Sequence, residues 1–149
     1  KIDTIYSSDA DRCRILAEKL SKVTQAKMIY SSLFREIDNG VWSGKTREEV
    51  DRLSLEDPLN VRPINGESLA DAVIRAEEAI KLVKDGLGKR NVVISHGWFL
   101  KLIVGSQIGL SPLYSIRSLK FSNCSMSELS FSDKGCIIEY LNNRNYLFV

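Results

Sequence analysis

At 149 residues the chain has the length of one domain, enough to bury a full hydrophobic core. A formal net charge of +2, with 44% hydrophobic and 27% charged residues, is that of an ordinary globular protein; it gives no argument for nucleic acid or an anionic membrane, and no apolar stretch approaches the length of a membrane span. Three cysteines (Cys13, Cys124 and Cys136) in no metal-like spacing, beside a single histidine, argue against a structural zinc site and for a reducing, cytoplasmic setting.

Ile2-Asp3-Thr4-Ile5-Tyr6 alternates as a strand does, and Ser7-Ser8-Asp9 supplies turn and N-cap chemistry. Cys13, Leu16, Ala17 and Leu20 fall at helical spacing and predict an amphipathic helix over residues 10–22. Arg12 lies in its first turn, just past the carboxyl end of the strand. A cation there opposes the helix dipole, so Arg12 reads equally as an anion ligand at the sheet edge or as a solvated charge.

A second short strand covers residues 26–30, and the segment Leu33-Phe34-Arg35-Glu36-Ile37-Asp38-Asn39-Gly40-Val41-Trp42-Ser43-Gly44 follows. Its apolar anchors, acidic and amide groups and two glycines suit an ordered loop. Glu36 stands between Phe34 and Ile37, where partial desolvation would fit it for proton transfer; the competing reading pairs it with Arg35 or another cation. Thr46-Arg47-Glu48-Glu49 has the form of a capping box and opens a short helix to about residue 53. Residues 54–65 are irregular, with Pro58 and Pro63 barring a long helix, and Asn65-Gly66 marks a turn. Leu69, Ala72, Val73, Ala76, Ala79, Ile80 and Val83 then recur at i, i+3, i+4 and i+7, predicting a helix that ends at Gly86 or Gly88.

Residues 91–95 hold a β-branched run of three, Val92-Val93-Ile94, of the kind found in buried parallel strands, ending in Ser95-His96-Gly97 and passing at once into an apolar helix near residues 98–108. The only histidine is thus placed where a strand ends and a helix begins. Ligands of open α/β sheets bind there, and helix N–H groups favour an anion, above all phosphate. Gly97 would let that anion come close to the backbone. A histidine that merely closes a strand is the bland alternative. Ser111-Pro112 starts a crossing segment, and residues 124–131 and 135–141 predict a hairpin around Ser132-Asp133-Lys134. The order defines a single α/β domain over residues 1–149: a three-layer sandwich, with helices on both faces of a mostly parallel sheet and an antiparallel C-terminal portion.

Five of these segments resemble, in order, landmarks of the histidine phosphatase superfamily, the phosphoglycerate mutase-like proteins. Ile5 to Arg12 looks like that family's strand ending in Ser, with a phosphate-binding Arg four residues on. Leu33 to Gly44 is similar to its Leu-x-x-Glu-x-x-x-Gly-x-Trp-x-Gly segment, whose Glu is the proton donor. Gly66-Glu67-Ser68, with Arg75 downstream, resembles its Gly-Glu-Ser helix start. Ser95-His96-Gly97 matches a phosphate-pocket histidine, and Glu139-Tyr140-Leu141-Asn142-Asn143 looks like the C-terminal strand and tail.

The resemblance implies a metal-independent phosphatase acting on a small phosphorylated metabolite through a phosphohistidine, with no cofactor. Glu36 and His96 are then the catalytic candidates, and Arg12, His96 and Gly97 the phosphate ligands; sequence does not decide whether His96 is protonated. The family's nucleophile is a histidine in an Arg-His-Gly triplet on a first, interior strand, and no such triplet is present here. The expectation is an N-terminally incomplete sequence that does not itself form a phosphohistidine. A phosphoglycerate mutase-type phosphotransferase is one alternative, and a non-catalytic phosphate-binding or scaffolding domain another. The mutase pattern differs by a longer insertion with paired arginines after the Glu segment and by Asn after His-Gly, where Trp98 stands here. The hydrophobic hairpin is a candidate surface for a homodimer.

Overall fold

A computed structural model describes residues 1–86 and 89–148. Strands β1 (Thr4–Ser7), β2 (Lys27–Tyr30) and β3 (Asn91–Ile94) form a parallel sheet in the order β2-β1-β3. Ser7 pairs with both Tyr30 and Ile94, so the three strands finish level with one another.

Side-chain alternation sends neighbouring residues of β1 to opposite faces. Ile5 goes with Ile94, Ala17 and Cys13 under helix α1 (Asp11–Thr24). Tyr6 goes with Ala72, Ala76 and Phe99, which belong to helices α3 (Leu69–Asp85) and α4 (Gly97–Gln107). Thus the sheet is covered on both faces, the arrangement that lets β1 be buried at every residue. Helices α2 (Arg47–Leu53) and α5 (Pro112–Ser118) complete the helical layer. Strands β4 (Met126–Ser132) and β5 (Gly135–Asn143) pair antiparallel in a sheet of their own.

Several local expectations change. The N-cap of α1 is Ala10, whose methyl group cannot cap; Ser7 Oγ donates to its neighbour's carbonyl, and Ser8 Oγ accepts from the Ala10 N–H at 3.3 Å while it faces His96. Leu16 is 52% exposed, so the buried stripe of α1 is narrower than its spacing implies. Ser111-Pro112 opens a true helix, with Ser111 Oγ accepting from Tyr114 N–H and Pro112 at N1, where its missing donor costs nothing. The hairpin turn is two residues, Asp133-Lys134, since Ser132 already pairs with Gly135.

Gly86 does cap α3, in an extended rather than a left-handed conformation, and a Cβ there would collide with the Tyr6 hydroxyl. Gly88, the other predicted stop, lies outside the described residues. Gly40 needs its freedom: φ is +46°, and a Cβ would drive into the backbone at Ile64–Gly66. The predicted capping box closes at Thr46 with Glu49, and a second, which the sequence reading did not name, forms at Ser68 with Asp71.

Candidate active site

The level ends of β1 and β3 bring two residues 84 apart in sequence into contact. Arg12, at the second position of α1, reaches across so that Nη2 lies 2.7 Å from Nδ1 of His96, the N-cap of α4. A guanidinium has no lone pair to offer, so it donates and Nδ1 accepts. The other ring nitrogen therefore carries the proton and donates to Ser8 Oγ at 3.0 Å. His96 is only 7% exposed. Burial first, and then the Arg12 charge, hold its pKa below the ordinary value of 6.5. The imidazole is neutral at pH 7, with one tautomer fixed on both sides.

Cys13 Sγ lies 3.6 Å from His96 Nε2 and 3.8 Å from the Ser95 carbonyl. Burial pushes its thiol above the ordinary range, so Cys13 packs as a thiol and is no thiolate nucleophile.

Glu36 lies on the other side of the same helix end. Its Oε1 accepts from the N–H groups of Ile37 (3.0 Å) and Phe99 (2.9 Å), and its Oε2 from that of Trp98 (3.2 Å). Two otherwise unpartnered donors of the first turn of α4 thus hold a carboxylate. The sequence reading reserves them for phosphate; in the structure they belong to Glu36. Gly97 precedes them, and a Cβ there would meet nothing nearer than the Phe121 carbonyl at 4.0 Å, so the space on the Cβ side of this residue is open.

Glu36 does not pair with Arg35, which turns away to grip Asp9 through two bonds of 2.6 and 2.7 Å. Its loop is anchored by the buried side chains Phe34 and Ile37 and by Ser95 Oγ, which donates to the Phe34 carbonyl at 2.7 Å. Arg75 of α3 supplies the strongest hold. It donates to the carbonyls of Leu33, Arg35 and Glu36, at 2.9, 2.8 and 3.3 Å, and lies 4.0 Å from the Phe99 ring centroid. Glu67 fixes it through a two-pronged pair of 2.5 and 3.1 Å and also accepts from the Asp38 N–H at 2.9 Å.

Ser8, Glu67 and Arg75 are thus parts of the site whose roles the sequence does not announce. Ser8 sits in a polar triplet that reads as a turn. Glu67 and Arg75 are eight residues apart, and only the fold shows that they face one loop. The arrangement offers a cation, a neutral imidazole with a lone pair toward that cation, the Gly97 N–H at the helix start and a positioned carboxylate. These are the parts for holding an oxyanion and moving a proton beside it.

The chain belongs to the histidine phosphatase superfamily (branch 1), whose family model matches residues 1–144. Among curated relatives, the "Probable phosphoglycerate mutase GpmB" of Shigella boydii is 28% identical, over 98% of this chain and 74% of that protein. The protein of the same name from Photorhabdus laumondii is 29% identical, over 87% of this chain and 64% of its own length. The alpha-ribazole phosphatase of Shigella flexneri superposes with a TM-score of 0.81 at 18% identity, over 96% of this chain and 74% of that one. A mycobacterial glucosyl-3-phosphoglycerate phosphatase gives 0.76 at 22%, over 97% and 78%. At these identities the structural likeness speaks for the fold.

Proposed function

We propose that the protein is a cytoplasmic, metal-independent phosphatase that hydrolyses a small phosphomonoester through a phosphohistidine. The observation that carries this is the convergence of Arg12 and His96, 2.7 Å apart, at the carboxyl ends of two parallel strands. Phosphoryl transfer is largely a problem of positioning and charge. Here Arg12, the Gly97 N–H and a protonated His96 neutralise the equatorial oxygens, so no metal is required for that task.

His96 is the one histidine in the sequence, and its role as a phosphate ligand leaves the nucleophile to a residue outside these 149. That nucleophile attacks phosphorus in line as the ester P–O bond breaks. Glu36 gives its proton to the departing alcohol, later takes one from the water that attacks phosphohistidine, and so returns to its first state. Oε2, with one bond of 3.2 Å against two shorter ones at Oε1, is the oxygen that carries this proton. Sheet topology supports a nucleophile on a further strand: among the described residues β3 has a neighbour on one side only, and the hairpin stands apart.

The names of the curated relatives favour a second reading, a mutase. Against it stand the short connection from Gly44 to Gly66, without adjacent arginines, and Trp98 directly after His96-Gly97. The test is an aryl phosphate assay of the complete protein with and without chelator, followed by an alkaline quench to trap phosphoprotein. The proposal expects activity indifferent to chelator and an acid-labile, base-stable phosphoryl group. Activity lost to chelator and restored by magnesium would overturn it, and faster interconversion of phosphoglycerates than hydrolysis would favour the mutase.

A further inference from the structure

An open cleft lies between the turn Gly40–Trp42, α2, the segment from Pro58 to Leu69, and helices α4 and α5. Trp42, Trp98, Val50, Val61, Leu69 and Ile116 give it a mostly apolar wall. Glu36 is not itself part of the wall, but two wall residues link the cleft to it: Ile37 follows it in the chain, and Trp98 donates its backbone N–H to it.

The polar wall groups are largely engaged already, the Asn39 amide apart. Ser54 Oγ donates to the Val50 carbonyl, Glu67 holds Arg75 and Asp38, and Asp51 binds Arg47 at 3.0 Å. Arg47 also lies over the Trp98 ring, 4.9 Å from its centroid. Arg117 approaches the same Asp51 at 3.8 Å, so two guanidinium groups share one carboxylate at the rim. This leaves a positive edge, which draws in a dianionic ester, around a wall that has little to offer a polyol.

Building on the phosphatase reading, we infer that this cleft seats the alcohol part of the substrate, and that the alcohol is flat and apolar, an aromatic or fused-ring group. A sugar or glycerate would bury several hydroxyls against a wall where Asn39 alone has an uncommitted side-chain amide, a loss that binding recovers only in part. A flat ring instead stacks on indole and aliphatic surface. Phosphate on Arg12 and alcohol in the cleft would then place the ester oxygen beside Glu36.

Trp42 and Trp98 are the only tryptophans in the sequence and both line the cleft, so each indole N–H resonance reports on its occupancy. The 149-residue chain is titrated by NMR with 1-naphthyl phosphate, glycerol 2-phosphate and inorganic phosphate. The inference expects 1-naphthyl phosphate to move both indole signals, to bind about tenfold more tightly than glycerol 2-phosphate and to compete with inorganic phosphate. Trp42→Leu should weaken the naphthyl ester by roughly tenfold and leave inorganic phosphate unchanged. Val61→Glu, which puts a charge into the wall from another segment, should do the same if Trp42→Leu does not fold. Equal affinity of the two esters with still indole signals overturns the cleft inference and leaves the phosphatase reading standing. Naphthyl binding indifferent to inorganic phosphate also overturns it, because the ring would then sit apart from the phosphate site. Failure of all three probes to bind counts instead against the phosphatase reading.

Discussion

The first turn of α4 separates two half-sites built in opposite ways. On the Glu36 side everything is fixed in advance: three N–H groups hold the carboxylate, and a mostly buried Arg75–Glu67 pair, 17% and 16% exposed, grips its loop by three carbonyls. On the His96 side one long cation reaches across from an exposed helix face, and its partner is a lone pair that an oxyanion would repel. The first half is preorganised; the second, to serve the proposed phosphate site, would have to rearrange, with Arg12 turning to the anion and His96 taking up a proton at Nδ1. The Glu36 carboxyl group is therefore positioned by the backbone before any ligand binds, while on the proposed reading charge for the phosphate is gathered when phosphate arrives.

The largest effect expected from this contrast is at the fixed half. In the complete protein Glu36→Gln should lower turnover of an alkyl phosphate by roughly 10²–10⁴-fold, the usual worth of a general acid. The first step with a nitrophenyl ester, whose leaving group scarcely needs the proton, should suffer much less. Steady-state and burst kinetics on both substrates separate the steps, and equal damage together with a lowered melting temperature would make Glu36 a structural residue.

Arg75→Ala comes next. Removing one member of a mostly buried pair leaves Glu67 uncompensated and three carbonyls without donors, at a cost of about 3 kcal/mol. Urea denaturation should show it, and alkyl phosphate turnover should fall with it. Arg75→Lys should recover only part, since an ammonium lacks the planar fork that meets a carboxylate and several carbonyls at once. Full activity in a destabilised Arg75→Ala protein would separate the clamp from the acid it is held to position.

The poised half is sharpened by pH. The folded-state pKa of His96 lies below 6.5, so between these values the unfolded chain binds more protons than the folded one. Stability should therefore fall as pH drops below about 6.5 toward the folded-state value, and His96→Gln should flatten that part of the melting-temperature profile. Sulfate, a dianion throughout this range, should bind more tightly as the pH falls and offset the loss. Sulfate affinity that is level with pH would mean that His96 takes up no proton. The smallest effect is expected at Arg35→Ala. Its pair with Asp9 also touches the Glu36 loop, but Arg35 is 61% exposed, and the melting temperature should scarcely move.

Period and punctuation in the sequence carry most of the frame. The run Asn91-Val92-Val93-Ile94 and the spacing from Leu69 to Val83 can satisfy only one kind of element each, and the carboxyl-end rule places Arg12 and His96 on one edge without coordinates. What stays hidden is whatever depends on how a polar side chain spends its bonds. Ser8 could equally have capped α1, which is what its neighbours Ser7 and Asp9 imply, and Glu36 could equally have paired with Arg35. Packing decided both: Ser8, itself fully buried just past β1, meets His96 as well as the Ala10 N–H, and Phe34 and Ile37 anchor the loop so that Glu36 meets the end of α4. The Arg75–Glu67 clamp and the stacking of Arg47 on Trp98 join segments whose separations carry no period at all.

The central claim is that Arg12 and His96 together form an oxyanion site. A crystal structure of the chain grown with vanadate tests it most directly. The anion should lie against the Arg12 guanidinium, His96 Nδ1 and the Gly97 N–H, with the 2.7 Å contact between Arg12 and His96 opened to admit it. Vanadate bound elsewhere while Arg12 still donates to His96, or Arg12 turned to solvent with the anion absent from the end of β1, would contradict it.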